Sequence, residues 1–133
     1  PDGVVDADML AANAVTTAKI SNSQITEAKL ASDQQKGLAK AWVNFNGTGT
    51  IAVRSSFNVS SVSDEGTGEF KVNFTNAMSD DDFCVVTSGA SQGISAAMMY
   101  MYNPTVNSTQ VECVNDAAAR MDPVFACVSV FAN

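Results

Sequence analysis

Glu69-Phe70-Lys71-Val72-Asn73-Phe74 alternates strictly, with Phe70, Val72 and Phe74 on one side and Glu69, Lys71 and Asn73 on the other. A period of two is that of a strand with one buried face and one wet one. The same texture recurs on both sides of it. Upstream lie Ala41-Trp42-Val43-Asn44-Phe45, Thr50 to Arg54 and Phe57 to Val62. Asn46-Gly47 reads as a two-residue hairpin turn, and Asp64-Glu65-Gly66-Thr67-Gly68 as another turn. Downstream, a polar loop from Asn76 to Asp82 precedes Phe83 to Thr87, Ala96 to Tyr102, Gln110 to Val114 and Val124 to Phe131. The last run is apolar on both faces up to Ala126 and alternates less well afterwards, which suits a central strand or a subunit interface. About eight antiparallel strands with regular turns and no amphipathic helix predict an all-β head, sandwich- or jelly-roll-like.

The head is expected over residues 40–133; residues 1–39 are of a different kind. Large apolar residues fall at Val5, Leu10, Val15, Ile20, Ile25 and Leu30, a constant step of five. Val15-Thr16-Thr17-Ala18-Lys19-Ile20 aligns with Ile25-Thr26-Glu27-Ala28-Lys29-Leu30 as a ten-residue repeat. Ten residues make about 2.8 turns of α-helix, so an apolar stripe would rotate off any one face. An odd step also flips sides in a strand. Each unit therefore mixes conformations, with a brief helical turn N-capped by the side chain of Asp6, Thr16 or Thr26. A segment with one large apolar residue in five has nothing of its own to pack on. Self-association about a cyclic axis, with those six residues at the centre, is the expected solution. Residues 31–39 are expected to close this stalk with one more helical turn before Gly37.

Charge and composition exclude several functions. The chain of 133 residues carries 14 acids and 7 bases, a net charge of −7, with −2 in residues 1–39 and −5 in residues 40–133. Nucleic-acid binding needs clustered Lys and Arg and is not expected. No apolar run reaches the ~18 residues of a membrane span, so no membrane insertion is expected. A chain opening on Pro1 suggests a fragment or processed product with further sequence upstream. Cys84, Cys113 and Cys127 sit in apolar or alternating runs without CxxC spacing, which suits folding in a reducing cytoplasm and leaves a Cys113–Cys127 bridge as the alternative.

There is no His, so the commonest general base and metal ligand is missing and no nucleophile–base pair can be assembled. No enzymatic activity, metal or cofactor is expected, although two carboxylates converging in the fold would still suit glycosidic cleavage. Asp80-Asp81-Asp82 matches no calcium loop and reads as a solvated turn. Asn46, Asn58, Asn73 and Asn107 begin glycosylation sequons, read here as polar strand faces. The unusual run Ala96-Ala97-Met98-Met99-Tyr100-Met101-Tyr102 puts Met98, Tyr100 and Tyr102 on one face of a strand. Tyrosine rings there suit sugars or an interface.

The decade repeats, the run Ala41 to Gly47, Ile51 to Arg54, Phe57 to Val62, Glu69 to Met78 and the closing Val124 to Phe131 resemble the distal region of tail-fibre proteins of marine bacteriophages. The likeness is loose from Asp80 to Arg120. It implies a homotrimer in the virion tail fibre, folded in the host cytoplasm and joined to an upstream fibre segment. It also implies a tip that attaches to a glycan or protein of the host surface. The expected receptor contacts are Ser91, Gln92, Tyr100, Tyr102, Asn103 and Asn107, on the tyrosine face and in the neighbouring loops Gly89–Gly93 and Asn103–Ser108. A virion decoration or trimerisation module without a receptor is the structural alternative, and a polysaccharide depolymerase the enzymatic one.

Sedimentation equilibrium of the purified chain is expected to give a mass near three chains. A monomer at micromolar concentration refutes the stalk reading.

Overall fold

The computed structural model describes residues 12, 14–91 and 97–132, and divides the chain into two compact units, residues 1–35 and 36–133. In the first unit the two decades fold alike. Thr17–Lys19 and Glu27–Lys29 each form a single 3-10 turn, closed by Lys19 N–H on the Thr16 carbonyl and Lys29 N–H on the Thr26 carbonyl, both at 2.9 Å. Each lysine then reaches back five residues. Lys19 Nζ donates to the Ala14 carbonyl and Lys29 Nζ to the Gln24 carbonyl, both at 2.6 Å. The sequence analysis assigns side-chain caps to Thr16 and Thr26, and at Thr26 this is corrected. Thr26 takes the extended N-cap backbone (φ −89°, ψ 163°) but its side chain makes no cap bond. Asp6 lies outside the described residues. A short helix α1, Ser32–Lys36, follows.

The second unit is a β-sandwich of eight antiparallel strands: β1 Ala41–Asn46, β2 Ala52–Phe57, β3 Val59–Gly66, β4 Glu69–Phe74, β5 Cys84–Ala90, β6 Ala97–Thr105, β7 Ser108–Asn115 and β8 Phe125–Phe131. One sheet has the order β2-β1-β8-β5 and the other β3-β4-β7-β6. The alternation in β4 behaves as read: Phe70, Val72 and Phe74 are buried and the residues between them half-buried. β8 is a central strand, paired with β1 and β5. Its alternation is cleaner than expected, with Ala126, Val128 and Val130 inward and Phe125 outward.

The core fills the space between the sheets. Val43 and Phe45 of β1 and the three inward residues of β8 meet Phe70 and Val72 of β4 and Val111 of β7. Each buried Val or Phe among them contributes roughly 1.5–3 kcal/mol by leaving water. Phe45 and Phe70 join the layers directly, edge to face with ring centroids 5.2 Å apart. On one flank Gly89 of β5 lies against Met99 of β6, and Thr87 Oγ1 donates to the Met99 carbonyl.

On the other flank the chain passes from sheet to sheet. The expected strand Phe57–Val62 is broken at Asn58, whose φ of +53° turns β2 out of one sheet and β3 into the other. Asn58 is suited to this because Asn tolerates left-handed backbone and bonds locally. Its Nδ2 donates to the carbonyls of Lys40 (2.9 Å) and Asn76 (3.1 Å), and its Oδ1 accepts from Asn76 N–H (2.8 Å).

Asn46-Gly47 is not a two-residue hairpin. β1 and β2 are joined by a longer loop in which Gly49 supplies the positive φ (+63°), and Asn46 and Thr48 bond to each other. Gly47 is needed for space instead. A Cβ there would lie 2.7 Å from Cζ of Phe70 and 3.1 Å from Cδ of Pro123. Because Phe70 is fully buried and cannot step aside, Gly47→Ala is expected to cost about 1–3 kcal/mol. Urea denaturation should show the loss; an unchanged midpoint would mean the loop relaxes freely.

Candidate functional site

The outer face of the β3-β4-β7-β6 sheet carries a polar network of two tyrosines, two glutamates and an arginine. Alternation in β6 sends Met99 and Met101 to the core and Met98, Tyr100 and Tyr102 outward. Register sets the rest. Tyr100 stands opposite Glu112 of β7, and Glu112 opposite Glu69 of β4, so three outward side chains form one row across three strands. Tyr102 stands opposite Gln110, which stands opposite Lys71.

Two carboxylates directly opposed on neighbouring strands, about 5 Å apart at Cα, would repel. Arg120 resolves this. Its Nη1 lies 3.0 Å from Glu69 Oε2 and its Nη2 3.0 Å from Glu112 Oε2. Tyr100 donates its hydroxyl to Glu112 Oε1 at 2.5 Å, and Tyr102 to Glu69 Oε1 at 3.2 Å. Beside them Asn103 Nδ2 donates to Gln110 Oε1 at 2.7 Å. Asn103 reaches that partner because β6 is bulged between Tyr102 and Thr105, and its own φ is +45°.

Arg120 lies far along the chain from Glu69 and arrives by a built turn. Asn115 Oδ1 accepts from the N–H groups of Ala117 (3.0 Å) and Ala119 (2.9 Å), and Ala118 takes a φ of +58°. The returning chain then bridges Arg120 to Val114, and Met121 N–H to the Cys113 carbonyl. Gly68 completes the seam: its N–H donates to Asp122 Oδ1 at 2.7 Å, and a Cβ there would meet the Cys113 carbonyl at 2.6 Å.

The network sets its own protonation. The hydrogen bond from Arg120, then that from Tyr100, hold Glu112 below the usual carboxylate range. The bond to Glu112, then burial, push Tyr100 above the usual phenol range. Burial first, then the bond to Glu69, do the same to Tyr102. Away from the network, burial and then Asp122 raise the Cys113 thiol. All three cysteines are free.

Of the expected receptor contacts, Tyr100, Tyr102 and Asn103 share this face. Asn107 lies in the β6–β7 turn, and Ser91 follows β5 of the other sheet. Gln92 lies outside the described residues. Gly89, assigned to a loop by the sequence analysis, is inside β5. Glu69, Glu112, Gln110 and Arg120 were missed. Period-two spacing places each glutamate outward, but their meeting depends on strand order, and Arg120 depends on the Asn115 turn. In the first unit Val15, Ile20 and Ile25 are exposed at 60%, 39% and 56%, and Leu30 is half-buried. Val5 and Leu10 lie outside the described residues. Among the described residues there is no cluster of three potential metal ligands, and no helix is long and apolar enough to cross a membrane.

No family model matches the chain, and no curated protein matches it. Among solved structures it is similar to the phiAB6 tailspike, crystallised with three-repeated oligosaccharides of Acinetobacter baumannii surface polysaccharide, at 13% identity and a TM-score of 0.48. The match takes in 68% of this chain and 20% of that one, so this chain spans about a fifth of the tailspike's length.

The chain has just two tyrosines, so absorbance titration of tyrosinate reads this network alone. Lowering of Glu112 means its contribution to stability is present above its unfolded pKa and lost as pH falls through its folded value. Raising of the tyrosines means theirs is present below the ordinary phenol range and lost as pH rises through their folded values. Both tyrosines are expected to ionise above that range, and Glu112→Gln to bring Tyr100 down; no shift between the two proteins refutes the coupling.

Proposed function

We propose that this chain is the tip region of a phage tail fibre, that copies of it trimerise through the decade repeats, and that the Tyr100–Glu112–Arg120–Glu69–Tyr102 face binds a glycan of the host-cell surface without cleaving it. The observation that carries the reading is this network on the outer face of a sheet. A sugar offers hydroxyls that both donate and accept, and an apolar C–H face. The network offers carboxylate acceptors, a guanidinium donor, the amides of Gln110 and Asn103, and two tyrosine rings. Its groups are already held by strands and by one another, so little ordering entropy is lost on binding. The sequence resemblance to tail-fibre tips supports the attachment role, and the exposed Val15, Ile20 and Ile25 support self-association.

Arg120 holds Glu112 low, which does not suit Glu112 to the acid role in glycosidic cleavage. One observation favours a purely structural module. Arg120 ties the turn after β7 to the sheet through both glutamates, which suffices to explain the network without a ligand.

Binding of the intact protein to host cells and to a glycan array separates the two. Tyr100→Ala is expected to weaken specific binding about ten-fold or more, with no polymer shortening on any bound glycan. Equal binding by wild type and Tyr100→Ala removes this face from the proposal, and an absence of surface binding favours the structural module.

A further inference from the structure

The other outer face of the sandwich, on the β2-β1-β8-β5 sheet, has the opposite character. Its four strands hold no acidic residue, and Arg54 is their one base. The strands of the partner sheet hold four acids. In a chain of net charge −7, one face has been kept clear of like charge. The guanidinium of Arg54 is engaged within the face: it donates to Asn44 Oδ1 (3.2 Å) and the Val124 carbonyl (2.7 Å) and lies 4.5 Å over the Phe125 ring.

The same face exposes large apolar side chains among uncharged polar ones: Ser129 stands between Trp42 and Val86, and the next row is Ser55, Asn44, Cys127 and Ser88. Trp42 of β1 stands opposite Phe57 of β2. Trp42 is 37% exposed, Phe57 54%, Val86 58% and Phe125 52%. Taking about 200 Å² for each aromatic side chain, the three rings leave roughly 300 Å² uncovered in total, with the Trp42–Phe57 pair and Phe125 at opposite ends of the face.

We infer that this face packs against the same face of other copies of the chain, leaving the Tyr100–Glu112 face to the solvent. A second copy is the occupant that the charge pattern fits. Two acidic bodies repel wherever their carboxylates meet, and this is the sheet on which neither brings any. Association of copies is also called for independently by the decade repeats. Once copies are joined through residues 1–39, their heads share an effective concentration of the order of millimolar. A face-to-face contact with a dissociation constant below that concentration is then mostly closed.

The inference takes from the proposed function only that copies associate, and sedimentation reports that separately. The face carries its own reporters: Trp42 is the chain's single tryptophan, and Cys84 is exposed in β5 opposite Phe131. Because the folded head alone leaves Trp42 37% exposed, acrylamide is expected to quench Trp42 of the assembled full chain several-fold less than that exposure allows. Maleimide is expected to label Cys84, located by peptide mapping, several-fold more slowly than a free thiol. The double variant Phe57→Asp/Val86→Asp should restore both, while Lys71→Glu on the opposite sheet should change neither. An assembled wild type whose Trp42 is quenched freely and whose Cys84 reacts as a free thiol overturns the inference, whatever the variants do. A wild type that sediments as a monomer overturns it together with the association on which it rests.

Discussion

Everything in the second unit hangs on two sheets meeting through Phe45 and Phe70. Each sheet by itself has one apolar face that water would penalise, and the edge-to-face contact of these rings fixes how closely the layers approach. Gly47 follows from that contact. The chain leaving β1 passes so close to the tip of the Phe70 ring and to Pro123 that there is no room for a methyl group at Gly47. The bond from Gly47 N–H to the Pro123 carbonyl then brings the connection between β7 and β8 to the same place. One cross-sheet contact thus positions the chain that, a few residues earlier, carries Arg120 to the outer face.

The two outer faces of the sandwich divide the chemistry. One gathers glutamate, tyrosine, arginine and amide groups into a single hydrogen-bonded network. The other mixes exposed apolar rings with uncharged polar side chains and carries Arg54 as the one charge in its strands. Period two makes this possible because inward residues can be uniformly apolar while outward residues are chosen strand by strand. β6 shows it within one strand: its methionines Met99 and Met101 serve the core while Tyr100 and Tyr102 serve the surface.

Alternation was legible wherever one face is buried, so β4, the division of β6 into two faces and the number of strands follow from the residues alone. Where alternation fails to predict, a specific local interaction has replaced it. Asn58 looks like the polar member of a strand and is in fact a corner, because its side chain ties three backbone groups of neighbouring segments. Asn46-Gly47 looks like a tight turn, but Gly47 answers to packing from β4, which no local motif reveals. In the polar face Tyr100 and Tyr102 announce themselves by strand parity. Glu69, Glu112 and Arg120 do not, because their meeting needs the order β4-β7-β6 and a returning chain.

The lysine of each decade has a consequence for how such a chain is able to vary. Lys19 and Lys29 close on carbonyls inside their own neighbourhood, at Ala14 and Gln24, and the two turns are built alike. A decade is therefore a self-contained module of length. Adding or removing ten residues leaves every such closure intact, while adding or removing five splits one. Relatives of this chain would differ here in whole decades, and the spacing between whatever lies on either side would change in fixed increments, like links in a chain.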